Sequence, residues 1–252
     1  LIVIFEIGVF LIFMTVLMFS YLVTEDPSLG KVDKDSLPQQ SLMELMIEDI
    51  ENKERVCGSV ESPALREWRG LRFSDAEDVT EIDWRSYHLA GHIRLEWLPS
   101  SVNMAQMYQN ELTGEVPLGN LPPAFTFFSL SNNELYGSLF LERLPLTMTG
   151  LFLANNSFVG TVDLTHLPPC LEYLTMNGNK LHGEVDLTKL PENMRSLYLQ
   201  GNKFHGETDF SRIPLSLKNI NVSFTNMAGE IALPKDNDFR VANSQVKIRV
   251  IE

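Results

Sequence analysis

Apolar positions in this chain recur at a spacing that is neither purely helical nor purely alternating. From about Val79 the order is apolar-x-x-apolar-x-apolar-x-x-Asn, and it returns every 23 residues. "LTMNGNKLHGEVDLTKLP" from Leu174 and "LYLQGNKFHGETDFSRIP" from Leu197 are consecutive copies. Asn falls at 110, 133, 156, 179 and 202, and Gly at 91, 114, 137, 160, 183, 206 and 229. Pro holds 99, 122, 145, 168, 191 and 214. An apolar column runs Leu95, Leu118, Leu141, Leu164, Leu187, Phe210, Leu233. A fixed period of about 20–50 residues marks a solenoid or another repeat array, so residues 79–239 read as seven units of 23.

The alternation inside each unit predicts a short strand. In one unit Leu197 and Leu199 point inward, while Ser196, Tyr198 and Gln200 point out. Stacking such strands about 4.8 Å apart gives a parallel sheet spanning roughly 30 Å. Where the chain turns, a buried Asn amide can serve backbone donors and acceptors and tie one unit to the next. Asn110, Asn133, Asn156, Asn179 and Asn202 form that expected ladder. The Gly column suits a positive φ, and Pro ends the second apolar segment.

Written out, the unit is LxxLxLxxNxLxGxVDLxxLPxx. It resembles the leucine-rich repeat, in the Gly-containing form of plant-type receptors and of kinetoplastid-type membrane and surface proteins. In the latter the unit often reads VDLTxLPxxL, as in "VDLTHLPPCL" here. The plant pattern has IP where VDL stands, and this departure argues against a plant-type second strand. The resemblance implies an α/β solenoid with its parallel sheet on a concave face.

The ends of the array deviate, with Tyr87 and Thr225 where Asn would stand. Terminal repeats are commonly atypical. "SLMELMIEDIENKE" has apolar residues at 42, 43, 45, 46, 47 and 50, an amphipathic-helix pattern, and "REWRGLRF" follows. Residues 41–78 are therefore expected to form a helical N-terminal cap. Residues 240–252, with "RVANSQVKIRVIE", are expected to form a strand-like C-terminal cap.

Residues 1–23 carry a single charge, Glu6. That length of apolar chain predicts one transmembrane helix in preference to a cleaved signal peptide, whose core is shorter. Residues 24–40 read as a polar tether. No Lys or Arg follows the helix until Lys31, which puts the repeats on the non-cytoplasmic side of a single-pass membrane protein.

The net charge of -13 argues against nucleic acid, which selects basic surfaces. Cys57 and Cys170 are too few for a structural zinc site and too distant to suggest a pair; both are expected to be free and at least partly buried. "NNS" at Asn155 and "NVS" at Asn221 match the glycosylation acceptor pattern. No catalytic motif occurs, and no cofactor or metal is expected. His182 and His205 share a column, as do Asp163, Asp186 and Asp209. The Asp column runs beside a basic one at Arg143, His166, Lys189, Arg212 and Lys235, so the stripes read as mutual neutralisation.

The candidate binding surface is the outward side of the strands. Its first unit is charged, but the middle carries Tyr108, Phe127, Phe152, Tyr173 and Tyr198 among small polar residues such as Asn177 and Gln200. Aromatics set among amides and hydroxyls are the composition of a protein-binding patch. The sequence thus reads as a non-enzymatic, membrane-anchored protein that binds a protein partner with its concave face. The alternative is an accessory subunit of a large membrane complex, its helix packed in the bilayer among other subunits.

Overall fold

The computed structural model describes residues 34–58, 63–233 and 238–250. The chain divides into two units, residues 1–38 and residues 39–252. In the first, Lys34–Ser36 forms one 3-10 turn, and the predicted membrane helix over 1–23 lies outside the described residues. Among the described residues no helix is long and apolar enough to cross a membrane.

The second unit is a β-solenoid. Its strands fall into two sheets, of nine and eight strands. The nine-stranded sheet takes the LxL segment of every unit, from Val79–Asp83 through Met104–Gln106, Phe127–Ser129, Gly150–Phe152, Tyr173–Thr175 and Ser196–Tyr198 to Asn219–Asn221. Neighbours pair in parallel at a register of one whole unit, as Tyr173 with Ser196 and Ser196 with Asn219. Leu71–Phe73 pairs antiparallel at one end. At the other end Asp238–Arg240 adds a strand, Asn219 meeting Asp238. The array therefore continues into an eighth, shorter coil, because the stretch after Asn219 is four residues shorter than a full unit.

The eight-stranded sheet is the second strand that the missing IP argued against. It runs from Ala90–His92 through the x-Leu-x-Gly segments to Gln245–Val250, every pair parallel. VDL does not prevent it, because its strands lie upstream of VDL, at Glu111–Glu115, Lys180–Gly183 and Lys203–Glu207. Its register is staggered: Lys180 lies opposite Val159, and His182 opposite Lys203. His182 and His205 thus share a sequence column without pairing across the sheet.

Among the described residues no α-helix crosses between the two sheets, so the α/β designation is not confirmed. The crossings between sheets are three-residue 3-10 turns at Leu95–Trp97, Leu118–Asn120 and Leu141–Arg143, and irregular turns elsewhere. A 23-residue unit that spends residues on two strands and two tight corners leaves too little chain for an α-helix, which averages about 11 residues. The α-helices among the described residues precede the coils, at Gln39–Met46 and Glu54–Cys57. The first buries Leu42, Met43 and Met46. The chain after it lies along the first strand of the eight-stranded sheet: Glu51 N–H donates to Ala90 O, and His92 N–H to Asp49 O. This covers an otherwise open sheet edge.

One apolar core threads all the coils. Leu95, Leu118, Leu141, Leu164 and Leu187 are buried in column, and so are Leu151, Leu174 and Leu197. Both corners of each coil need unusual backbone. The Gly column from Gly91 to Gly229 is at positive φ throughout. A second left-handed column, of no single residue type, stands just before the Asn ladder: Ser86, Gln109, Asn132, Asn155, Gly178, Gly201 and Phe224, at φ of 53–67°.

The Asn residues bind the coils together. Asn202 Nδ2 donates to Leu199 O in its own coil at 3.0 Å and to Met176 O in the preceding coil at 2.9 Å. Its Oδ1 accepts from Leu181 N–H at 3.1 Å. Asn110, Asn133, Asn156 and Asn179 repeat the arrangement. Thr225, in the Asn position of the seventh unit, reaches only its own coil, donating to Val222 O at 2.6 Å.

Candidate functional site

The outward side of the nine-stranded sheet has three zones. The first is charged. Arg72 pairs with Glu81 at 3.1 Å and Arg85 with Asp83 at 3.0 Å. A hydrogen bond with the Tyr108 side chain, then the Asp83 charge, holds the Arg85 guanidinium on its proton more firmly than usual. A cavity of about 350 Å³ opens here, lined by Gly70, Leu71, Arg72, Asp83, Arg85 and Tyr87. The opposite end is charged as well, with Asp238 paired to Arg240 at 2.8 Å.

The middle zone is neutral and aromatic. Phe127 and Phe152 meet with ring centroids 5.1 Å apart, and Phe152 stacks on Tyr173 at 6.4 Å and 21°. Three rings from three successive strands form one ridge. Its origin is a glycine. A Cβ on Gly150 would come within 2.9 Å of the Phe152 ring and 3.0 Å of the Phe127 ring. Because that position is bare, the flanking rings close over it and Gly150 is buried.

Tyr198 is not part of the ridge, although it shares the Phe152 column. Its neighbour in that column is Thr175, too small to continue the stack. Tyr108 belongs to the charged end through its bond with Arg85. Asn177 and Gln200 stand half-buried beyond the ridge. Ser196, expected to point out to solvent, is 7% exposed, covered by its larger neighbours and hydrogen-bonded to Asn219 Nδ2 at 3.2 Å. Two polar atoms on this part of the face are buried without a hydrogen-bond partner, Thr175 Oγ1 and Gln200 Oε1.

The two glycosylation candidates differ sharply. Asn155 is exposed and donates to Asn132 Oδ1 at 2.8 Å. Asn221 is 8% exposed, and its Oδ1 accepts from Ser223 N–H at 3.0 Å. The burial of Asn221 leaves no room to seat a glycan there in this fold.

Cys57 is buried and Cys170 exposed, and neither forms a disulfide. The exposure of Cys170 departs from expectation because it follows a Pro pair at a surface turn. Among the described residues no group of His, Cys, Asp or Glu is placed to hold a metal ion. The Asp stripe instead forms local turns. Asp163 accepts from both the N–H and the hydroxyl of Thr165 and contacts His166, which holds its carboxyl down at about 2. Asp186 accepts from the N–H and the hydroxyl of Thr188 and Asp209 from the N–H of Ser211, and hydrogen bonding by those residues lowers both carboxyls. Lys235 lies outside the described residues.

No family model matches the chain, and no curated protein matches it by sequence. Solved structures match it by fold. A pollen receptor kinase 3 structure superposes with a TM-score of 0.58 at 22% identity, over 84% of this chain and 96% of that one. The BIR2 ectodomain of Arabidopsis thaliana gives 0.55 at 19%, over 71% and 98%. The ectodomain of the Arabidopsis thaliana receptor kinase GASSHO1/SCHENGEN3, solved in complex with CASPARIAN STRIP INTEGRITY FACTOR 2, gives 0.50 at 15%, over 83% and 36%. This chain is similar in fold to these structures: it is a β-solenoid like the leucine-rich-repeat ectodomain of GASSHO1/SCHENGEN3.

Proposed function

We propose that this protein is a non-enzymatic binding module that takes a protein partner on the outward side of its nine-stranded sheet, and that residues 1–23 anchor it to a membrane with the repeats on the non-cytoplasmic side. One observation carries the binding reading. A neutral ridge of Phe127, Phe152 and Tyr173 stands in mid-face, with ion pairs at the two ends and one, Arg195 with Glu172 at 2.8 Å, at its rim. Buried aromatic anchors ringed by polar groups supply most of the affinity at protein interfaces. The structure of GASSHO1/SCHENGEN3, of the same fold, is a complex with CASPARIAN STRIP INTEGRITY FACTOR 2, which supports this reading.

The test replaces Tyr173 and Tyr198 together by Ser. Neither ring belongs to the continuous core, so the melting temperature should stay close to that of the wild type. Capture of partners, read by cross-linking and mass spectrometry from mild detergent, should be lost. Lys189→Glu with Arg212→Glu is the control on the opposite stripe. Loss of capture in that control, with retention in the tyrosine variant, would move the recognition surface to the charged stripe and favour the accessory-subunit reading.

A further inference from the structure

The outward side of the eight-stranded sheet is built differently from the aromatic face. One column along it reads Glu111, Glu134, Ser157, Lys180 and Lys203, a residue from each of five successive coils. The four charged residues are exposed and Ser157 is half-buried. The next residue on each strand, from Leu112 through Leu135, Phe158 and Leu181 to Phe204, is fully buried. Strand alternation therefore turns the whole column outward. It is acidic at one end, basic at the other and neutral in the middle.

The fold makes no use of these charges. Among the described residues neither glutamate and neither lysine enters an ion pair. Lys180 Nζ donates only to Ser157 Oγ, at 3.3 Å. Like charges on neighbouring strands do not stabilise a sheet.

Between the two charged halves the face is apolar. Tyr136 is 51% exposed and Val159 41%. They stand on adjacent strands, Tyr136 opposite Ser157 and Val159 opposite Lys180. An exposed apolar centre with charged margins is the composition of an interface. A third column carries Glu115, Glu184 and Glu207, and His182 and His205 stand between it and the lysines. The Glu115 and Glu184 side chains are laid over the glycines of the next coil. A Cβ on Gly137 would come within 2.9 Å of Glu115 Cγ, and one on Gly206 within 2.7 Å of Glu184 Cγ.

A column whose halves are opposite in sign complements itself when turned end for end. An isologous contact has that property, because a two-fold axis brings one patch onto its own copy. We infer that a second copy of this chain docks on the outward side of the eight-stranded sheet, about an axis that crosses the column at Ser157. Glu134 and Glu111 then face Lys180 and Lys203 of the second copy, and Tyr136 and Val159 are closed in at the centre. Five strands about 4.8 Å apart and five residues at about 3.3 Å each make a face of roughly 24 by 16 Å. That is small for a specific interface, so the dimer is weak and its charge contacts are sensitive to salt. The contact uses no residue of the nine-stranded sheet and does not depend on what binds there.

The test uses the full chain in detergent micelles, labelled in two pools with donor and acceptor dyes that are mixed over a concentration series. Wild type should show energy transfer that rises with concentration. The transfer should fall between about 0.15 M and about 1 M salt, where the screening length drops from about 8 Å to about 3 Å. Glu111→Lys with Glu134→Lys makes the column basic throughout, and Lys180→Glu with Lys203→Glu makes it acidic throughout. Each double variant alone should associate more weakly on the order of tenfold or more. The two mixed together should associate at least as tightly as wild type, because a basic column then meets an acidic one. All four positions are exposed, so melting temperatures should stay near that of wild type. Absence of transfer in wild type at every concentration overturns the inference. So does transfer that both double variants retain, which would place self-association on another surface. Weakening of both variants without recovery on mixing also overturns it, since it removes the end-for-end arrangement. Tyr173→Ser with Tyr198→Ser should leave self-association unchanged, and its loss there would move the contact to the nine-stranded sheet.

Discussion

Asn179 Nδ2 donates to the carbonyl of Leu153, one coil back, at 3.0 Å. The same nitrogen donates to Met176 O at 2.9 Å, and Oδ1 accepts from Phe158 N–H at 3.1 Å. With a further, longer bond to Asn177 O at 3.3 Å, one buried side chain thus serves four backbone groups on two coils. Asn179→Ala strands them all, at about 1–3 kcal/mol for each group left buried and unpaired. The expected loss is about 3 kcal/mol or more by chemical denaturation. Lys180→Ala, which removes one exposed bond to Ser157 Oγ, should cost under about 0.5 kcal/mol. Equal losses in the two variants would refute the ladder as a source of stability.

Glycines in this chain separate into required and optional. Gly229 has φ +136°, and a Cβ there would sit 2.5 Å from the backbone oxygen of Thr208. Gly119 has ordinary φ, and its added Cβ would meet only the flexible Arg143 side chain, at 3.1 Å or more. Gly229→Ala should destabilise by about 2 kcal/mol or more, while Gly119→Ala should lie within about 0.5 kcal/mol of wild type. Thermal unfolding of the two single variants decides it.

The Asp stripe predicts an acid response. The folded carboxyl of Asp163 lies near 2, below the ordinary carboxylate value, chiefly because Thr165 hydrogen-bonds its charged form. A lowered folded value means that stabilisation is complete above about pH 4 and is lost as pH falls towards 2. Asp186 and Asp209 are lowered in the same direction. Replacing all three by Asn should flatten the decline of melting temperature between pH 5 and pH 2. An unchanged slope would show that these turns do not stabilise the fold. The side chains are exposed, so the effect should be small at neutral pH.

Deletion of residues 1–23 tests the anchor. The coils carry a continuous core of their own, so the shortened chain should leave the membrane fraction and keep its β-rich circular dichroism. A truncated chain that remains with membranes would refute anchoring by that segment.

The 23-residue period fixed a great deal by itself. Strict spacing with buried leucines leaves one economical solution, identical coils stacked in register, and the parallel sheet followed from it. The roles of Asn and Gly were also legible, because a buried amide and a positive φ are local demands visible in one unit. Other features were decided only by tertiary structure. The second sheet is a lateral pairing between coils, and its two-residue stagger separates His182 from His205 although they share a column. Among the described residues the crossings between sheets are 3-10 and irregular turns, because chain length per coil, not propensity, limits them. The aromatic ridge joins Phe127, Phe152 and Tyr173 over Gly150 and leaves out Tyr198. A sequence column records only which strand position a residue occupies. Where its ring comes to rest depends on the size of the side chain on the next strand, and here a single missing Cβ decided it.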